Sequence, residues 1–135
     1  MTEENKKENI KDELQRASQA LQAADLLFEK GLLNDAVSRL YYFLLHTIRA
    51  LLLTKGLEPK SHEGALRTFG LHFVKEGIFA AKDSHVFSKM MKLREEADYN
   101  PAYVFTKEDF AEFKDESLVL SDKIRVYLRE RGYLA

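Results

Sequence analysis

The stretch from about residue 34 to residue 55 constrains the fold more than any other part of the chain. Ala36, Val37, Leu40, Tyr41, Phe43, Leu44, Leu45, Ile48, Leu51 and Leu52 fall on nearly every side of a helix drawn through it. A helix that is apolar on most sides belongs at the centre of a bundle, where other helices can cover it. One line of residues breaks the pattern. Asp35, Arg39, Tyr42, His46 and Arg49 step by 4, 3, 4 and 3, so they form a single longitudinal polar stripe. The apolar run from Leu40 to Leu53 is interrupted by His46 and Arg49, and is too short and too polar to span a bilayer. No membrane role is expected.

The neighbouring segments supply the helices that such a rod needs. The first is read from about Lys6 to Lys30, with Asn5 and Glu8 as a capping box. Its residues Ile10, Leu14, Ala17, Leu21, Ala24 and Phe28 mark one face. Gly31 ends it, and Asn34 is expected to cap the second helix after a very short turn, which makes the two antiparallel neighbours. Gly56 closes the second helix and LEPKSHEG is a loop. A third helix starts near Ser61 or His62 and reaches Lys75, with Leu66, Phe69 and Phe73 inward. A fourth runs from about Asp83 to Tyr99 and stops at Asn100-Pro101. Thr106 and Asp109 cap the last, which runs to about Arg131 with Phe110, Phe113, Ser117, Leu120, Ile124 and Tyr127 on one face. No segment alternates with period two. The expected fold is all-α, an antiparallel up-and-down bundle of four to five helices in a single domain, 1–135.

Charge and composition narrow the function classes. Lys plus Arg is 21 and Asp plus Glu is 22, a net charge of −1. Nothing pulls the whole molecule toward DNA or an anionic membrane, so any RNA or nucleotide contact has to use a local patch. Without cysteine there is no disulfide, thiolate metal site or Cys nucleophile. The four histidines lack HxxxH or HExxH spacing, and no Gly-rich phosphate loop occurs. No metal and no cofactor is expected. The charged opening MTEENKKENIKDEL has no apolar core of a secretory signal, so a cytoplasmic protein is expected.

Three blocks carry a family resemblance: AVSRLYYFLLHTIRALLLTKG, then KSHEGALRTFGLHFVKEG, then LREEADYN. In this order they resemble the HEPN superfamily of small helical bundles, specifically the stand-alone prokaryotic branch with AxSRxYYxxxH, HxG and RxxADY blocks. The resemblance covers about residues 10 to 130. It implies a bundle of four or five helices that forms a homodimer. It also implies a minimal nucleotidyltransferase as partner protein in a toxin–antitoxin or related pair. Catalytic members of the superfamily are metal-independent ribonucleases with an R-x4–6-H motif at the dimer interface, and others bind nucleotides or only proteins.

Metal-independent RNA cleavage needs a base for the 2′-hydroxyl, an acid for the leaving oxygen and a cation for the phosphorane. Arg94 matches the arginine of the family motif, but Asp98 and Tyr99 stand where its histidine belongs. Asp is a poor acid at neutral pH. Arg39 and His46 satisfy R-x6-H as a string on the second helix, about 10 Å apart along its axis. The candidate catalytic residues are therefore Arg39, His46 and Arg94. Asp35, Tyr42, Arg49, His62, Asp98 and Tyr99 form a ligand-binding or structural polar cluster around them. The sharpest expectation is that Arg39, His46, Arg94, Asp98 and Tyr99 meet in one pocket, with Arg39 paired to Asp98. Plainer readings stand beside it. Arg94 and Asp98 can be a helix-surface ion pair, the stripe a solvated seam or dimer contact, and His62 a first-turn residue. His72, His85 and the charge runs Lys92–Glu96 and Arg125–Arg131 read as surface. Three functions remain open: a partner or nucleotide/RNA-binding module of a nucleotidyltransferase, a metal-independent endoribonuclease acting as a dimer, or a structural homodimer without ligand.

Overall fold

Five α-helices build the chain in the computed structural model, which describes residues 2–135. They are α1 (Glu3–Glu29), α2 (Leu33–Leu53), α3 (His62–Phe69), α4 (Ala81–Tyr99) and α5 (Lys107–Glu130). No strand occurs among the described residues. The all-helical bundle expected from the periodicity is the fold.

Helix α2 is its axis. Val37, Leu40, Tyr41, Leu44, Leu45, Ile48, Leu51 and Leu52 are fully buried or within one per cent of it. α1 packs along it, α4 and α5 cover its other sides, and α3 closes one end. Among the described helices α2 alone is long and apolar enough by composition to cross a bilayer, and most of it is buried inside the bundle. The turn between α1 and α2 is as tight as expected. Gly31 adopts φ +77°, where a side chain is strained. Gly31 N–H then donates to Phe28 O and Leu32 N–H to Leu27 O, which satisfies the last carbonyls of α1. Phe28 stacks on Phe110 of α5 at 4.6 Å between ring centroids, so the end of α1 is tied across the bundle.

Several boundaries differ from the sequence reading. α1 begins at Glu3, because Thr2 Oγ1 accepts the Asn5 N–H. Asn5 and Glu8 therefore lie inside the helix, and Thr2 is the cap. Asn34 does not cap α2. The tight turn carries the chain straight into helix at Leu33, and the Asn34 amide instead donates to Tyr103 O at 3.1 Å. α4 starts at Ala81, since Asp83 reaches back to accept the Ala80 N–H. Asp83 is buried, and its other oxygen accepts from Lys123 of α5 at 3.0 Å. The third helix covers the expected span but changes pitch. Beyond Phe69 the chain makes one π-helical turn, Gly70–Val74, in which Lys75 N–H donates to Gly70 O. Thr106 and Asp109 form the reciprocal cap expected at the start of α5.

Candidate functional site

The polar stripe lies on the side of α2 facing α4 at one end and α1 at the other. Near its start, Asp35, Ser38, Arg39 and Tyr42 line a cavity of about 340 Å³ together with Leu27 of α1 and Asp98 of α4. Arg39 and Asp98 thus sit on the same side of the bundle. They are not paired as expected. Arg39 lays its guanidinium over the Tyr42 ring, 4.6 Å from the centroid, and among the described residues it forms no ion pair with a carboxylate. Asp98 is held by Arg94, one turn earlier on its own helix, at 3.5 Å. A partner on the same helix needs no interhelix registration, so it is the easier one for Asp98 to take.

Arg94 is the unusual member. It stands in the charge run Lys92–Glu96, read as a solvated face, yet only 8% of it is exposed. Its guanidinium lies between the Tyr41 and Tyr99 rings, 5.5 and 5.7 Å from their centroids. Among the described residues its only hydrogen bonds are from Nη1 to Asp98 and to the Tyr99 hydroxyl, both at 3.5 Å, the outer limit of such contacts. The Nε is buried with no partner. Burial works against its charge, but Tyr42, Tyr99, Asp98 and Tyr41 outweigh that and strengthen it. The result is a cation with more donors than the protein satisfies. Tyr99 itself is 73% exposed at the rim.

His46 points the other way. Its Nδ1 lies 2.8 Å from Glu13 Oε2 of α1, and Glu13 in turn faces Arg16 at 3.7 Å. The five residues expected in one pocket therefore divide. Arg39 and Asp98 share a cavity, Arg94 and Tyr99 flank Asp98, and His46 is drawn aside by α1. The Tyr42 ring links the two parts, with its centroid 6.5 Å from that of His46. Arg49 lies beyond His46 in a separate groove of about 570 Å³ with Asp12, Glu13, Arg16, Glu58 and Lys60.

His62 joins the cluster from the first turn of α3, whose cap is Ser61 Oγ accepting the Gly64 N–H. Its Nδ1 is 2.6 Å from the Tyr41 hydroxyl, and its ring stands edge-on to Tyr42 at 6.0 Å. Tyr41 is fully buried, and burial pushes its phenol well above the ordinary range. Burial, then the charges of Arg94 and Arg49, pull His62 below the usual imidazole value. Sequence reasoning placed Tyr41 only among the apolar residues and did not single out Glu13. Of the other histidines, His85 is exposed and His72 half-buried. Among the described residues no three His, Asp or Glu side chains are placed to share a metal ion.

What the geometry offers is a strip of phosphate-binding chemistry: two guanidinia with free donor capacity, one exposed tyrosine, Tyr99, and two oriented imidazoles. The comparisons agree with the resemblance seen in the three blocks. The chain is 39% identical over 124 residues, 92% of each chain, to a Methanocaldococcus jannaschii protein named "Putative toxin MJ0605". A second protein of that organism with the same kind of name is 27% identical over 95% of this chain and 87% of its own. A UPF0332 protein of Thermotoga maritima is 36% identical over 70% of this chain and 71% of its own. The HEPN domain model matches residues 10–117, and the chain belongs to the HEPN domain family.

Proposed function

We propose that this chain is the toxin half of a toxin–antitoxin-like pair: a cytoplasmic, single-domain HEPN homodimer that binds RNA or nucleotide phosphate. Arg94, Arg39 and Tyr42 make the contact, and a nucleotidyltransferase-type partner holds the protein in check. The observation that carries the binding is Arg94. A buried guanidinium with an orphaned Nε and only two long hydrogen bonds is costly to the fold. An anionic ligand whose oxygens reach the Nη atoms supplies acceptors that the protein does not. Arg39, without a carboxylate partner among the described residues, offers a second cation in the cavity lined by Asp98, the partner of Arg94. The names of the two Methanocaldococcus relatives support the toxin reading. Exposed apolar residues support an interface next to the site. Leu26 and Leu32 flank the α1–α2 turn, and Tyr103 and Val104 lie at the same end of the bundle, joined there by the Asn34–Tyr103 bond.

Co-expression tests the pairing. Induction of this chain alone is expected to arrest growth, and the adjacent reading frame to restore it in a complex that co-purifies. Normal growth, or an adjacent frame that forms no complex, overturns it. Titration of a short oligoribonucleotide in EDTA tests the binding, which Arg94→Gln should abolish.

A second reading is favoured by one further observation. Glu13 Oε2 receives the His46 Nδ1–H, and such a carboxylate–imidazole pair leaves Nε2 free to take a proton. In metal-independent endoribonuclease action His46 removes the 2′-hydroxyl proton as the 2′-oxygen bonds to phosphorus, the P–O5′ bond breaks with the 5′-oxygen taking a proton from water, and Arg94 and Arg39 stabilise the phosphorane. RNA incubated in EDTA should then give 2′,3′-cyclic phosphate ends with wild type and none with His46→Ala. Equal cleavage by both excludes this role.

A further inference from the structure

Helix α3 brings a histidine, His62, into the cluster around Tyr41 and Tyr42. We propose that His62 is a fixed Nε2–H donor, its tautomer set by Tyr41, that grips a phosphate oxygen of the bound RNA beside Arg94. This rests on the phosphate-binding reading above and assigns that site a third directional donor.

The tautomer follows from counting donors. The Tyr41 hydroxyl is fully buried, and His62 Nδ1, at 2.6 Å, is its only hydrogen-bond partner among the described residues. If Nδ1 carried the proton, the phenolic hydrogen would be buried with no acceptor, at a cost the fold avoids by turning it onto the Nδ1 lone pair. The ring N–H is then on Nε2. Among the described residues Nε2 has no hydrogen-bond partner, it is not among the enclosed orphan atoms, and His62 is only half-buried, so the donor is left for a ligand.

The charge state is consistent with this geometry. Tyr41 and Tyr42 of α2 contact His62 directly, and the charges that act on it are Arg94 and Glu95 of α4 and, from the neighbouring groove, Arg49 of α2. Burial first, then the charges of Arg94 and Arg49, oppose a positive His62, and only Glu95 favours one. His62 is thus an uncharged donor at neutral pH. An uncharged imidazole does not readily give up its remaining proton, so its work is directional hydrogen bonding and not acid catalysis. Tyr41 is a positioning residue, since it acts only through His62.

Two measurements test the proposal. The first is the ¹⁵N chemical shift pair of His62 at neutral pH. It should show Nε2–H and a lone pair on Nδ1 in wild type and a mixed tautomer in Tyr41→Phe. An imidazolium, or the Nδ1–H form, overturns the proposal. The second is affinity for a short 2′-O-methyl oligoribonucleotide, which cannot be cleaved through its 2′-oxygen. His62→Ala should weaken binding roughly tenfold, the effect of one lost hydrogen bond to a charged group. His62→Gln keeps an uncharged N–H donor and should restore most of it. Binding lost with Arg94→Gln but unchanged with His62→Ala refutes the role of His62 and leaves the site standing. No binding by wild type refutes the site itself, and the ligand role of His62 with it.

Discussion

Replacing Arg94 with methionine separates a residue kept for the fold from one kept for a ligand. Arg94→Met retains most of the apolar stem and removes the charged head. The bonds lost are weak. The ion pair with Asp98 is long and its acceptor partly exposed, which places it at about 0–1 kcal/mol. The two ring contacts lie near the outer limit for cation–π attraction and contribute about 0.5–1 kcal/mol each. Against this, the substitution removes a buried, unpartnered Nε, a defect worth about 1–3 kcal/mol. The opposing contributions nearly cancel, so stability in urea should change by less than about 1 kcal/mol, with an unaltered m-value. RNA affinity should fall by at least about 2 kcal/mol, roughly thirtyfold, as for loss of a desolvated charge contact. Destabilisation by more than about 3 kcal/mol, the range for breaking a well-made buried pair, with affinity preserved, refutes the reasoning and makes Arg94 structural.

Further outcomes follow from the same contacts. Tyr41→Phe opens no cavity but removes the bond to His62, and should cost about 1 kcal/mol by chemical denaturation; an unchanged midpoint argues that the bond is not formed in solution. The lowered His62 pKa makes the unfolded chain the better proton acceptor at this position. The stability it contributes is complete above the unfolded value, near 6.5, and is lost as pH falls through the lower folded value. His62→Gln should therefore flatten the acid side of the stability–pH curve below about 6.5, and superimposable curves contradict that. Phe69, buried against Phe73 and Phe79, should cost about 3–5 kcal/mol when cut to alanine. Its measured loss sets the scale for a purely structural residue.

Much of this was legible because helical periodicity is local. The stripe on α2, its buried rod and the Arg94–Asp98 spacing all follow from 3.6 residues per turn. The three sequence blocks led to the right family by the same local route. What stayed hidden was chosen by packing between helices. Glu13 reaches His46 because α1 lies along α2, and no spacing within either segment marks that pair. Tyr41 reads as core and is core, but its hydroxyl finds His62 from a helix that begins some twenty residues later. Arg39 and Asp98 line one cavity but do not pair as expected, because each has a nearer partner, Tyr42 and Arg94. The misread helix starts share a cause as well. Thr2 accepts the N–H of Asn5, the residue expected as the cap, and Asp83, expected as the start of α4, lies inside it and accepts the Ala80 N–H.

The site on α2 and α4 stands or falls with one signal, the Arg94 Nε–H resonance in a ¹H–¹⁵N spectrum during titration with a short oligoribonucleotide in EDTA. It is expected to move and saturate together with the Tyr42 and His62 resonances. Saturable binding that leaves Arg94 in place and shifts residues elsewhere on the bundle contradicts the site.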